Sequence, residues 1–259
     1  MNEILSDLGA EHQDLDALVA GLSPSQWDLQ TPAEPWTIRD TIGHLAFFDQ
    51  KQTLAITHPE EFVADINEHL AAGTEAYMAQ HLSRGRAVNL EEMLAWWRGA
   101  RTEMLDALSG LHPDDRILWF GPPMKARSAA SARLMETWAH GQDVADVLGV
   151  ERRPTDRLFA IAELGVKTYG WSFSVRGLET PTERVRFALN GPMGTSRIWN
   201  QDSTQSITGP VEDFCLVAAQ RRHVDDTRLA LDGPLTRRWM EIAQIFAGPP
   251  GPGRRATHR

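Results

Sequence analysis

The sequence predicts a mainly α protein with an added α+β part: an antiparallel four-helix bundle over about the first 150 residues, then a small α+β module. Up to residue 150, apolar residues recur three and four apart in long segments broken by short Pro/Gly stretches. From residue 184 the period shortens to strict alternation, with turn sequences such as Asn190-Gly191-Pro192 between the runs. A chain of 259 residues with 42% hydrophobic and 24% charged residues also carries enough apolar surface for one or two cores. The expected domains are residues 1–170, a helical bundle; 171–248, a small α+β domain; and 249–259, a disordered tail rich in Pro, Gly and Arg.

The first helix is expected over residues 3–21, with Ile4, Leu8, Leu15, Leu18 and Val19 on one face and Gly21 ending it. Ser23, Pro24 and Gln26 are a cap, a first-turn proline and a capping-box partner for a short helix carrying Trp27. Thr37 caps the next long helix, Asp40 lies in its first turn, and the run continues to about His58. Residues 60–83 are less regular and are expected to hold one or two short helices. A strong helical period returns from Leu90 to Leu108, closed by Gly110, and a fourth long helix is expected from a Ser128 cap to Leu148, stopped by Gly149. Another helix spans Thr155 to about Tyr169. Beyond it, Arg184–Leu189, Thr195–Trp199, Gln205–Thr208 and Arg228–Leu231 read as strands. Pro210–Arg221 and Thr236–Phe246 read as helices.

Composition narrows the function. Asp plus Glu number 35 against 26 Lys plus Arg, giving a formal charge of −9 that repels a phosphate backbone, so no nucleic-acid partner is expected. No window approaches the roughly 18 apolar residues of a membrane span, and the first fifteen residues lack a basic leader or an apolar signal core. The lone cysteine, Cys215, leaves no internal disulfide framework and no Cys-rich zinc site, and it suits a reducing compartment; a cytoplasmic protein is expected. Any metal must be held by His and carboxylates. No P-loop, GxGxxG, HExxH or GxSxG pattern is present.

On the fourth long helix, Leu134, Trp138, Ala145 and Leu148 define an apolar face, while Glu136, His140 and Asp143 fall at i, i+4 and i+7 on a second stripe. Glu and His one turn apart present an oxygen and an imidazole nitrogen to one point, as bundle metal sites require. His44 sits at the edge of the stripe Ile38, Thr41, Ile42, Leu45 and Phe48, on the flank of the core. Two neutral imidazoles and one carboxylate leave a divalent ion with net charge near +1 and open positions. Asp40, one turn before His44, and Asp143, nearly one turn after His140, are candidates to orient the imidazoles from behind. Glu and His at this spacing also occur on solvated helix faces, and a core-edge histidine is often satisfied by a carbonyl. The other histidines, His12, His58, His69, His81, His112, His223 and His258, have no partner at ligand spacing and are expected to be solvated or structural.

Two segments, Pro35-Trp36-Thr37-Ile38-Arg39-Asp40 through Gly43-His44-Leu45 and Met135-Glu136-Thr137-Trp138-Ala139-His140-Gly141-Gln142-Asp143-Val144, resemble the signatures of the mycothiol-dependent maleylpyruvate isomerase family. That family is part of the DinB-like superfamily of metal-binding four-helix bundles. The resemblance implies that His44, Glu136 and His140 bind a divalent metal, zinc by usual assignment, with nickel and iron as alternatives. It also implies that mycothiol or a similar thiol is the cosubstrate. The C-terminal part is similar to the small sterol-carrier-protein-like domain that members append, sometimes labelled a wyosine-base-formation domain. A Gly-Arg pattern in the family contributes a catalytic arginine, which here falls on Arg221, with Gln220 where the Gly would stand.

The expected function is therefore that of a metal-dependent enzyme, an isomerase or transferase that activates a low-molecular-weight thiol for attack on an electrophilic small molecule. A metal-dependent hydrolase or lyase using activated water shares every ligand, and a non-catalytic metal- and small-molecule-binding protein is the third reading. The partners expected are a small-molecule substrate and a thiol, for a monomer or a homodimer.

Overall fold

Reciprocal capping fixes where two of the long helices begin. The computed structural model describes residues 1–257, which form two units, Met1–Glu151 and one beginning at Arg152. In the first unit, α1 (Asn2–Val19) leads into the short α2 (Pro24–Trp27), whose Ser23 amide donates to Gln26 Oε1 at 2.9 Å. Helix α3 (Ile38–Thr57) starts where Thr37 Oγ1 accepts from the Asp40 amide at 3.3 Å and Asp40 Oδ2 accepts from the Thr37 amide at 3.1 Å. Helices α4 (Pro59–Ala72) and α5 (Thr74–Ala87) follow. Asn89 and Glu92 then exchange the same pair of bonds, at 2.9 and 3.0 Å, to begin α6 (Leu90–Ser109). A two-residue hairpin, β1 (Arg116–Ile117) with β2 (Met124–Lys125), delivers the chain into α7 (Ala126–Leu148). Gly149, at φ 66°, ends α7 in the left-handed conformation that costs glycine nothing.

Helix α3 packs against α6, α5, α7 and α4, and α1 against α7 and α6, so α1, α3, α6 and α7 form the four-helix bundle. Its core joins Leu15, Val19, Trp27, Ile38, Ile42, Leu45, Met93, Trp97 and Val144, all but fully buried. Each such side chain contributes roughly 1.5–3 kcal/mol of transfer free energy. Helix α7 has no solvated face over most of its length: Arg133, His140, Gln142 and Asp143 are buried along with its apolar residues.

The second unit contains α8 (Leu158–Lys167), α9 (Tyr169–Ser174), β3 (Val185–Asn190), β4 (Ser196–Trp199), β5 (Gln205–Pro210), α10 (Val211–Ala218), a 3-10 turn (Val224–Asp226), β6 (Ala230–Asp232) and α11 (Pro234–Met240). The sheet order is β4-β3-β5-β6, with β3 and β5 parallel, Phe187 opposite Ile207, and the other pairs antiparallel. Val185, Phe187 and Leu189 alternate inward, and Phe187 meets Phe214 and Trp239.

One expectation is sharpened and three change. Residues 60–83 belong to two 14-residue helices, α4 and α5. Ser128 is not a cap, because the hairpin brings the chain in extended as far as Lys125 and α7 starts at Ala126. The division falls after Glu151 rather than at residue 170, since α8 packs on α10. The tail is held as far as it is described: Arg254 Nε donates to the Gln220 carbonyl at 3.1 Å, and the Thr257 amide to Asp226 Oδ2 at 2.9 Å. No helix among the described residues is long and apolar enough to cross a membrane.

Candidate metal centre

Position 44 lies in the second turn of α3, and positions 136 and 140 lie one turn apart in the middle of α7. Packing of α3 on α7 brings the three side chains to one point. Their ligand atoms lie within 4.8 Å of one another. Glu136 Oε2 is 3.4 Å from His140 Nε2 and 3.9 Å from His44 Nε2. Two donors bound to one zinc ion at 2.0–2.1 Å stand about 3.4 Å apart in tetrahedral geometry, so the cluster is close to the spacing of a ligated set. Trp36, from the segment before α3, stacks on His140 at 5.5 Å and 26° and tilts over His44 at 4.6 Å, walling the centre with apolar surface.

Electrostatics suit a cation. Burial drives the His44 imidazole down to about 3, past the opposing pull of Glu136, so it is neutral and its lone pair is available. Burial alone raises a carboxyl, yet the hydrogen bonds from His140 and His44 hold Glu136 well below the usual carboxylate range. A neutral imidazole and an ionised carboxylate are the protonation states a divalent metal requires. The donor set is thus one that a metal fits. Behind His140, the fully buried Asp143 places Oδ2 3.4 Å from Nδ1, the arrangement that leaves Nε2 facing the centre.

Asp40 does not play the corresponding part for His44. Its carboxylate is taken by the α3 cap and by Arg86, whose Nε and Nη2 donate at 2.7 and 2.9 Å, and His44 Nδ1 has no hydrogen-bond partner. The spacing that suggested a supporting carboxylate is also the capping spacing, and the cap takes it.

Among the other histidines, His58, His112 and His223 take local roles at helix and turn ends. His69 meets Tyr77 edge-on at 4.3 Å, and His258 lies outside the described residues. Two were misjudged. His12 is buried in the bundle against Trp97. His81, on α5, is 1% exposed and its ring centre is 5.4 Å from that of His44. Burial lowers it to about 4 against the opposite pulls of Asp40 and the Tyr77 carbonyl. The only signal in the sequence for His81 was a histidine on a weakly amphipathic segment.

In the second unit, Arg221 follows α10 and its Nη1 donates to the Ala219 carbonyl at 2.6 Å. Gln220 has φ 58°, the left-handed region where glycine is favoured. The backbone thus keeps a glycine-like conformation immediately before Arg221. Cys215 is buried, its Sγ 3.5 Å from the Leu158 carbonyl, and burial pushes its thiol well above the ordinary range.

Residues 8–145 match the family model described as the mycothiol maleylpyruvate isomerase N-terminal domain. The chain is 43% identical over 251 residues, 96% of its length and 97% of theirs, to uncharacterised proteins of Mycobacterium tuberculosis strains CDC 1551 / Oshkosh and ATCC 25618 / H37Rv. Crystal structures of the mycothiol-dependent maleylpyruvate isomerase and of a histidine-to-alanine mutant of it superpose with TM-scores of 0.56 and 0.60, at 14% and 15% identity. Each superposition covers 91% of this chain and 93% of the other. At that identity the likeness is one of fold.

Proposed function

The chain belongs to the mycothiol maleylpyruvate isomerase family, and from that premise we propose that it is a divalent-metal-dependent enzyme presenting an activated low-molecular-weight thiol to an electrophilic small molecule. The observation that carries this reading is the convergence of His44 Nε2, Glu136 Oε2 and His140 Nε2 beneath Trp36. These three residues would hold the ion, zinc in our reading. When bound, a divalent cation supplies a lowered pKa for a coordinated thiol or water.

The remaining work falls to the chain. His44 stays neutral through burial, and Asp143 fixes His140 with Nε2 toward the centre. Trp36 excludes bulk water and so strengthens each electrostatic contact inside. Cys215, buried and with a raised pKa, is unsuited to be the nucleophile, which favours a sulfur brought by a cosubstrate such as mycothiol. Arg221 is proposed as the cation that meets an anionic atom of the substrate. Thiolate addition to an electron-poor C=C would form a C–S bond and break the π bond, with the electron pair passing to the conjugated oxygen as an enolate. Rotation about the resulting single bond and expulsion of the thiolate re-form the π bond in the other isomer, whereas protonation of the enolate carbon leaves the S-conjugate.

Elemental analysis of protein purified without an affinity tag is expected to find close to one divalent metal per chain, and less than a tenth of that in His140→Ala. Full occupancy in the variant overturns the site. Calorimetry of mycothiol into metal-loaded protein tests the thiol: heat of binding is expected, and its absence removes that part of the reading.

A further inference from the structure

His81 has little polar company: only the Tyr77 carbonyl one turn back and the more distant Asp40 carboxylate pull on its ring. It is 1% exposed, and neither ring nitrogen reaches a hydrogen-bond partner of normal geometry. Its surroundings are aromatic: it stacks on Phe47 at 5.1 Å and 28° and meets Phe48 at 5.7 Å and Trp36 at 6.3 Å edge-on. Phenylalanine would fill such a cage without leaving polar atoms bare, so the imidazole is held at a cost to folding. Residues kept at such a cost are characteristic of functional sites.

Two further observations say what it faces. On one side is His44, with ring centres 5.4 Å apart. This proximity is built in by a helix crossing: a Cβ on Gly43 would stand 3.3 Å from Gly85 Cα, so α5 rests directly on α3 beside His44, and His81 lies one turn before Gly85. On the other side, His81 lines a recess of about 250 Å³ with Lys51, Asp65, Tyr77, Gln80 and Arg84. Helices α3, α4 and α5 supply all of these residues. The recess is of a size for a small molecule, and the charged groups of Lys51, Asp65, Glu68 and Arg84 stand among apolar surface from Phe47 and Tyr77.

We propose that His81 is a ligand-binding residue: its imidazole N–H donates a hydrogen bond to the sulfur or oxygen atom that an exogenous ligand places beside His44, entering from this recess. It is not one of the metal ligands, because its nitrogens are outside the set that converges with Glu136. The assignment rests on the metal reading above and adds the group that would recognise the incoming donor atom.

The test uses the full chain loaded with cobalt(II) and titrated with 2-mercaptoethanol, following sulfur-to-cobalt charge-transfer absorption. His81→Phe is expected to bind cobalt within twofold of wild type, to bind 2-mercaptoethanol about tenfold more weakly, as loss of one hydrogen bond to a charged group implies, and to be at least as stable in urea. His81→Gln, which keeps an N–H donor, is expected to recover part of the affinity. Unchanged 2-mercaptoethanol affinity in His81→Phe, no difference between the Phe and Gln variants, cobalt loss in His81→Phe, or failure of that variant to fold each overturns the assignment. A wild-type protein that takes up no cobalt overturns the metal reading itself, and is recognised by cobalt content before any thiol is added.

Discussion

One turn from the ligands, Arg133 on α7 reaches Asp49 on α3, and both are buried. Arg133 Nε donates to Asp49 Oδ1 at 3.0 Å and Nη2 stands 2.8 Å from the same oxygen, while Oδ2 has no partner. Half-paired in this way, the carboxyl is pushed by burial up to about 6 despite the guanidinium beside it. The pair ties together the two helices that carry His44 and Glu136. Asp49→Ala leaves a buried guanidinium with only the Leu45 carbonyl at 3.5 Å, and is expected to cost about 3–5 kcal/mol in urea unfolding. Asp49→Asn, which keeps an acceptor, is expected to cost less than half of that. Asp40 gives the complementary case. Asp40→Ala removes the capping-box partner of Thr37 and is expected to cost about 1–2 kcal/mol, with metal content unchanged because its carboxylate serves Thr37 and Arg86. Metal loss in that variant would restore it as a supporting residue of the centre.

What could be read in the sequence divides along the same lines at the level of elements. Helices α3 and α6, the end of α7 and the alternation of β3 were legible because their determinants are local: a cap beside its helix, a glycine just past the end, a period of two. Glu136 and His140 were legible because they stand one helical turn apart, and His44 because it borders the apolar stripe of α3. Helix α5 was not. Thr74–Ala87 has few apolar residues, and what seats it on α3 is the approach of Gly85 to Gly43, which leaves no periodic mark. His81 was lost with its helix. The start of α7 was misplaced because the pairing of Met124–Lys125 with Arg116–Ile117, which no cap residue signals, sets where the helix begins. Glycines separate the two kinds of determinant by experiment. Gly99 lies on an exposed turn of α6 with nothing within 4 Å of an added Cβ, so Gly99→Ala is expected to stabilise by about 0.5–1 kcal/mol through helix propensity. Gly43→Val has the crossing to contend with and is expected to cost about 1–3 kcal/mol by overpacking. Denaturant midpoints of the two variants read the difference, and a stabilised Gly43→Val would mean that α5 does not rest on α3.

Over the whole molecule, buried imidazoles set the response to acid. His12 and His44 are lowered by burial to about 3 and His81 to about 4, while the unfolded chain takes up these protons near 6.5. Between those values the unfolded state binds more protons than the folded one, so stability is full above pH 6.5 and is lost as pH falls. Each imidazole contributes about 1.4 kcal/mol per pH unit. Asp49 acts in the opposite sense: raised to about 6, it takes up a proton in the folded state before the unfolded one does, and from pH 6 down to its unfolded value it offsets one imidazole. The net dependence is therefore about two protons, near 3 kcal/mol per pH unit, over the interval between pH 6 and pH 4. Urea unfolding at a series of pH values in the presence of a chelator is expected to show this slope. His12 is remote from the metal ligands, packed on Trp97 with neither nitrogen paired, so His12→Phe isolates one share of it. The variant is expected to lose about 1.4 kcal/mol per pH unit of the slope while keeping its metal. A slope that the substitution leaves unchanged would show that His12 is not the buried neutral imidazole its surroundings make it. Saturating zinc binds only the folded state with His44 deprotonated, so it is expected to move the acid transition to lower pH by mass action. That displacement should be the same in His12→Phe and absent in His140→Ala, which ties the acid response of the whole fold to the occupancy of one site.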